Sequence, residues 1–316
     1  MNNIMIDKPI SKKDAYVLEE PKKGYKIPII SDTMFLAMIN NEKRKKYASY
    51  LIAQVLDIDY DEVYNSIVFI KEKLDQDSYK EKGKTVDFVC RINGEIIGIE
   101  MNNNNKVKPQ LERNISYAAD LYKSDLHKGE VYHYNKVVQI NINNFSFEGN
   151  NEVIERYMLR NEKGEIFTDK IEFIHIYLPN IKRKGYNKVN KLEKLLLVFN
   201  ESFDKSKELA KGDRIMEEYV KESTDTSYDD EIIGLYDKEL HLEKLRLSEL
   251  ELEKAEAREE GLKEGREEGL EQGIEQGERK KQIEIAKNML ELGIDLETIE
   301  KATGLSRKDL KCIQNE

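Results

Sequence analysis

Val86-Asp87-Phe88-Val89-Cys90-Arg91-Ile92-Asn93-Gly94-Glu95-Ile96-Ile97-Gly98-Ile99-Glu100-Met101-Asn102 reads as two short apolar runs around an Asn-Gly dipeptide. Asn93 and Gly94 both accept the positive φ of a type I′ turn, so the stretch predicts a β-hairpin with a two-residue loop. The register follows from the loop length. If Ile92 faces Glu95, then Cys90 faces Ile97, Phe88 faces Ile99 and Asp87 faces Glu100. Directly opposed side chains have Cβ atoms roughly 4.5–5.5 Å apart, and like charges so placed are destabilising unless something compensates. A divalent cation would compensate. Period-two alternation puts Thr85 opposite Asn102 and Val89 opposite Gly98 on the carboxylate face, whereas Val86, Phe88, Cys90, Ile97, Ile99 and Met101 form the other. One face is core; the other is polar, with room beside Gly98.

Hard oxygen ligands are what Mg²⁺ prefers, with Mn²⁺ as an alternative. Such an ion activates a water and stabilises the phosphoryl centre, which matches phosphodiester hydrolysis. The plainer reading of Asp87 and Glu100 is a cross-strand pair on a solvated sheet face.

Working outward, residues 66–71 (SIVFIK), 136–142 (KVVQINI) and 171–178 (IEFIHIYL) join the hairpin runs 84–92 and 95–101 as expected strands, being rich in β-branched and aromatic residues. Between Asp32 and Leu56 apolar residues recur at three- and four-residue steps, which predicts two helices broken near Asn40 and Asn41. Leu111, Ile115, Ala118, Ala119 and Tyr122 mark a helix over 108–125, and another is expected from about Asn190 through Phe203. Residues 1–28 hold Pro9, Pro21 and Pro28 without an apolar period and read as a flexible lead-in.

The chain has 316 residues, of which 39% are hydrophobic and 36% charged, too polar an average for one compact globule. The solvated part is a low-complexity run, GLKE, GREE, GLEQ, GIEQ, GERK, with Gly261, Gly265, Gly269, Gly273 and Gly277. A net charge of −10 argues against coating nucleic acid through bulk charge while leaving room for local basic patches. Two distant cysteines, Cys90 and Cys312, make neither a disulfide framework nor a cysteine zinc site, and a reducing cytoplasm is expected. The four histidines lack metal-ligand spacing. The start, MNNIMIDKPISKKD, lacks the apolar core of a secretory signal, and no run approaches a membrane span.

Asp87 followed by Glu100-Met101-Asn102 at the end of the next strand resembles the Asp…(Asp/Glu)-x-Lys signature of the PD-(D/E)XK nuclease superfamily. Together with Asp32-Thr33-Met34-Phe35, Arg113 and Tyr117 on the following helix, and Gly129 and Tyr132, the chain resembles the Rpn-type family of recombination-promoting nucleases and transposases over roughly residues 30–310. The resemblance implies an α/β, restriction-endonuclease-like core with a mixed central sheet flanked by helices, a C-terminal helical arm and a small helical module. Its boundaries would be 1–28 for the lead-in, 29–230 for the nuclease-like domain, 231–281 for the arm and 282–316 for a module of helix-turn-helix type.

The same resemblance implies Asp87 and Glu100 as metal ligands. Asp32 would be a third carboxylate or the holder of a metal-bound water. The third motif position is usually Gln in that family, and here it is Asn102, shorter than lysine and uncharged. A basic group would then come from elsewhere, with Lys84, Lys106 and Arg113 as candidates and Arg113 first. The implied activity is Mg²⁺-dependent DNA endonuclease cleavage, serving recombination or mobile-element movement, with Asn102 and Arg113 arranging water and phosphate. Two rivals stand beside it: a catalytically impaired DNA-binding or regulatory protein that keeps the fold, and an interaction protein acting through its arm. For Asp32 the plainer reading is a helix cap, since Ser31-Asp32 precedes an apolar period.

Five glycines at intervals of four lie nearly in line on a helix, and each costs roughly 1 kcal/mol against alanine. A long exposed helix that self-associates through residues 261–277 into a homo-oligomer stands against a flexible linker. In the tail, Leu296–Ala302, a Thr303-Gly304-Leu305 turn and a helix capped by Ser306 resemble a helix-turn-helix, with Lys301, Arg307, Lys308 and Lys311 as a basic edge toward DNA. The plainer reading is a small helical cap.

Overall fold

The computed structural model describes residues 9–10, 14–20, 25–70, 87–103, 107–124, 135–147 and 149–314. The chain divides into two compact units, Met1–Leu242 and Glu243–Glu316. In chain order the first holds β1 (Pro9–Ile10), α1 (Asp32–Met38), α2 (Lys45–Leu56), α3 (Tyr60–Ser66), β2 (Val68–Phe69), β3 (Phe88–Ile92), β4 (Glu95–Asn102), α4 (Val107–Ser124), β5 (Val137–Asn143), β6 (Ser146–Phe147), β7 (Ile154–Arg160), β8 (Ile166–Tyr177), α5 (Leu178–Lys184), α6 (Lys191–Asn200), α7 (Phe203–Ala210) and α8 (Arg214–Ser227). α9 (Asp230–Glu291) begins in the first unit and continues in the second, where α10 (Leu296–Thr303) and α11 (Arg307–Gln314) follow.

A mixed sheet in the order β2-β3-β4-β5-β8-β7 forms the centre, with β4, β5 and β8 mutually parallel and the other pairs antiparallel. The expected hairpin is present in the expected register: Ile92 faces Glu95, Cys90 faces Ile97 and Phe88 faces Ile99. Asn93 and Gly94 turn the chain at φ 49° and 90°, the left-handed region that a type I′ turn requires.

Alternation then sorts the side chains. Phe88, Cys90, Ile97, Ile99, Val138, Ile140, Ile142, Ile174 and Ile176 bury into the main core with residues of α1, α2, α6 and α8, each such burial contributing roughly 1.5–3 kcal/mol. The opposite face is apolar only at its lower end, where Val89, Ile96 and Val137 pack under Ala118 and Leu121 of α4. Its upper end carries the polar residues of the next subsection.

Gly98 sits at the boundary between the two halves. A Cβ there would lie 2.5 Å from Gln139 Oε1 and 3.0 Å from Leu121 Cδ1, both on side chains with no exposure. Gly98→Ala is therefore expected to destabilise the fold by about 1–3 kcal/mol through overpacking. Urea unfolding reads this directly, and an unchanged midpoint would show that α4 yields without cost.

Several elements differ from the sequence expectation. β7, with the sequence IERYMLR, is a strand where none is expected: it lies at the sheet edge, half of it exposed, so it shows no clean alternation. Residues 25–30, partly counted with the lead-in, are packed. The Ile27 N–H donates to Ser227 Oγ (3.0 Å), and the buried Lys26 amine donates to the Val198 and Phe199 carbonyls that end α6 (3.1 and 3.0 Å). Burial pushes the Lys26 amine down to about 7. The root of α9 is also fastened inside this unit. Glu239 accepts from the Ser31 hydroxyl (2.7 Å) and from the Asp32 and Thr33 N–H groups (2.9 and 3.1 Å) at the start of α1.

In the second unit the glycine repeat is helical, and residues 251–281 are exposed throughout. A Cβ added at any of the five glycines meets nothing within 4 Å. Beyond them Ala286 of α9, Ile299 of α10 and Leu305 and Leu310 close a small core, so the tail module is a trio of helices whose first is the end of α9. Asp295 caps α10 and Gly304, at φ 72°, ends it. No helix among the described residues is long and apolar enough to cross a membrane.

Candidate active site

The hairpin register carries Asp87 to the end of β3 and Glu100 to the facing position of β4, whose pairing ends at Phe88–Ile99. Asp87 Oδ2 accepts from the Met101 N–H at 2.8 Å, and its carbonyl accepts from Asn40 Nδ2 at 2.9 Å. Glu100 is 2% exposed. Its Oε1 is buried and has no hydrogen-bond partner among the described residues, while Oε2 lies 3.5 Å from Arg113 Nη2.

Burial raises the Asp87 carboxyl above its usual range, opposed by the Met101 N–H and by Arg113. Glu100 is pushed up to about 8, first by burial and then by the Asp87 charge, with Arg113 pulling the other way and Asp32 adding a smaller upward push. Two opposed carboxylates that resist ionising together, one with an orphaned oxygen, suit a hard divalent cation, because the cation supplies the missing positive charge.

Arg113 stands on the face of α4 that looks at the upper sheet, one turn before Tyr117, with its guanidinium over that ring at 5.7 Å. It reaches both motif residues: Nη2 is 3.0 Å from Asn102 Oδ1 as well as 3.5 Å from Glu100 Oε2. Its side chain is 42% exposed, so the guanidinium is partly open to solvent at the edge of a buried carboxylate. Asn102 is buried and anchored at both ends, since its Nδ2 donates to Asn143 Oδ1 at 3.1 Å.

Capping of α1 falls to Ser31, whose hydroxyl accepts from the Met34 N–H at 3.2 Å. Asp32 is the first helical residue, exposed, and its charge is felt at Glu100. Among the described residues no three His, Cys, Asp or Glu side chains converge as a metal cluster. Lys84 and Lys106, the other basic candidates, lie outside the described residues, as do Thr85, Gly129 and Tyr132.

A row of amides extends the site across the sheet. β5 presents Gln139, Asn141 and Asn143 on the same face, in register with Gly98, Glu100 and Asn102 of β4. All three are buried. His175 of β8 faces Asn141, its two ring nitrogens 3.4 Å from Asn143 Nδ2 and Asn141 Nδ2, and burial lowers the imidazole to about 4. The alternation in Val-Val-Gln-Ile-Asn-Ile-Asn was the signal that could have singled these residues out: a buried parallel strand normally reads as continuous apolar sequence, so amides at every second position mark a polar layer.

The family model described as PD-(D/E)XK nuclease family transposase matches residues 29–251, and that of the C-terminal HTH domain of the Rpn/YhgA-like nuclease family matches residues 279–315. Comparison with curated proteins and with solved structures returned no match. The first model spans more than two thirds of the chain, covering the sheet, the carboxylate pair and the root of α9, and the second covers the helical trio, so this chain belongs to the PD-(D/E)XK nuclease family of transposases and ends in the helix-turn-helix domain of the Rpn/YhgA-like nucleases.

Proposed function

We propose that the chain hydrolyses phosphodiester bonds of DNA in a reaction that needs a divalent cation, Mg²⁺ or Mn²⁺, held by Asp87 and Glu100. The observation that carries this reading is the buried pair itself: two facing carboxylates, both with raised affinity for a proton, and a Glu100 oxygen without a partner among the described residues. When bound, the cation lowers the pKa of a water and offsets charge on the phosphate. The remaining work falls to the protein's own groups. Arg113, half open to solvent beside Glu100, is suited to bind a phosphate oxygen, and Asn102 holds that guanidinium in place. Water attacks phosphorus and gives up a proton to solvent, the P–O bond to the leaving strand breaks, and the leaving oxygen takes up a proton from solvent. Asp32, exposed at the start of α1, is suited to hold a water of the cation's outer shell.

The C-terminal helix-turn-helix would add affinity for duplex DNA. Arg307, Lys308 and Lys311 are exposed on α11, and Lys301 on α10, which supports phosphate contacts by this face. Cleavage of supercoiled plasmid and single-stranded DNA by the purified full chain is the test. Product should form with Mg²⁺ or Mn²⁺ and none with chelator. DNA binding without cleavage under any metal would replace this reading by that of a catalytically impaired binder, a second reading supported by the anchoring of Asn102 between Arg113 and Asn143.

A further inference from the structure

An amide side chain can be seated in either of two senses, carbonyl oxygen one way or NH₂ the other, and the neighbours decide which. At the active site that choice propagates from a backbone atom. The backbone carbonyl oxygen of Asn141 can only accept, so the Asn143 group that faces it at 3.3 Å is Nδ2, which also lies 3.4 Å from His175 Nδ1. Asn143 Oδ1 is thereby turned toward β4 and can only accept. The Asn102 group it meets at 3.1 Å is consequently Nδ2, and this leaves Asn102 Oδ1 facing Arg113 at 3.0 Å. Arg113 Nη2 then lies 3.5 Å from Glu100 Oε2. Reversing either amide would aim an NH₂ group at the guanidinium, where two donors repel.

We propose that Asn143 is a positioning residue of the active site: by accepting from Asn102 it turns the Asn102 oxygen toward Arg113 and so holds the guanidinium against Glu100. Asn102 thus supplies no cation of its own, as a lysine at that position would, but recruits one from α4, and Asn143 sets the direction of recruitment. Asn143 is 1% exposed and sits on a parallel strand, where buried positions are usually apolar, so burial alone does not account for its amide. The proposal rests on the reading of Asp87 and Glu100 as a cation site.

The consequence has a sign that loss of structure cannot imitate. A guanidinium beside Glu100 repels an incoming metal ion while it attracts phosphate. Releasing it should weaken catalysis and strengthen metal binding together. The experiment measures Mn²⁺ affinity by titration calorimetry without DNA, and plasmid cleavage at saturating Mn²⁺, for the full-length wild type and for Arg113→Ala, Asn143→Leu, the double variant and Glu100→Ala, with thermal unfolding of each.

Asn143→Leu is expected to cut cleavage about tenfold, as loss of a residue behind a metal site does, and to raise Mn²⁺ affinity a few-fold, as Arg113→Ala does. The double variant should match Arg113→Ala alone, because both act through the same guanidinium. Asn143→Ala carries the same expectations should the leucine variant not fold. The proposal is overturned if Asn143→Leu lowers both quantities, changes neither, or adds its effect to that of Arg113→Ala. If Glu100→Ala binds Mn²⁺ as the wild type does, the cation reading falls and the proposal with it, an outcome distinct from a normal Glu100 effect with a silent Asn143.

Discussion

Asp87→Ala and Glu100→Ala are each expected to reduce the proposed metal-dependent DNA cleavage by more than about a hundredfold, beyond what is usual for residues that only support a metal site. The reason is the small size of the donor set. Among the described residues no third acidic side chain joins these two facing carboxylates in a cluster, so on the proposed reading each is expected to be needed. DNA binding should survive both changes, since removing buried negative charge does not weaken the phosphate contacts proposed for Arg113 and the helix-turn-helix. Plasmid nicking at a fixed Mg²⁺ concentration, paired with a filter-binding measurement, separates the two. Cleavage that persists at wild-type rate in both variants would move the chemistry to another part of the chain.

Glu100→Gln should stabilise the metal-free protein as the pH rises. In the metal-free protein Glu100 is pushed up to about 8 by burial and by the Asp87 charge, from an ordinary value near 4.5. Below pH 4.5 the group is protonated folded and unfolded, and the glutamine variant gains little. As the pH rises from 4.5 to 8 the unfolded chain releases the proton while the folded chain keeps it, so the wild type loses stability across that window. Above 8 the loss is complete. The difference between variant and wild type should therefore widen from near zero at pH 4.5 to a few kcal/mol at pH 8, each tenfold change in proton affinity contributing about 1.36 kcal/mol. Thermal unfolding in the presence of chelator should reveal it as several degrees. Added Mn²⁺ should close the gap by stabilising the wild type alone. A difference that is flat with pH would mean that Glu100 ionises freely in the fold.

The carboxylate pair and its register were legible because they depend on local rules. Asn93-Gly94 dictates the loop, loop length dictates pairing, and pairing puts Asp87 across from Glu100. The break between α1 and α2 and the extent of α4 were legible for the same reason, through periodicity and capping. Other features depend on neighbours that sequence does not order. Nothing in the β4 and β5 segments announces that they lie parallel and in register, so the meeting of Asn102 with Asn143 could not be read from either. β7 carries no buried face to betray it. That Arg113 lies beside Glu100 depends on which turn of α4 overlies the sheet, which the helix sequence does not state. For the glycine repeat, helix formers between the glycines outweigh the roughly 1 kcal/mol cost of each, and the stretch is helical.

From sequence alone this protein's hairpin and the register that sets its two acids opposite each other were determined, since turn chemistry and hydrophobic period act within a few residues. Tertiary structure decided that Arg113 stands beside Glu100, which way the Asn102 amide faces and how Glu239 anchors α1 across more than two hundred residues. Those outcomes hang on strand order and on the seating of one helix over a sheet, and long-range packing chooses both.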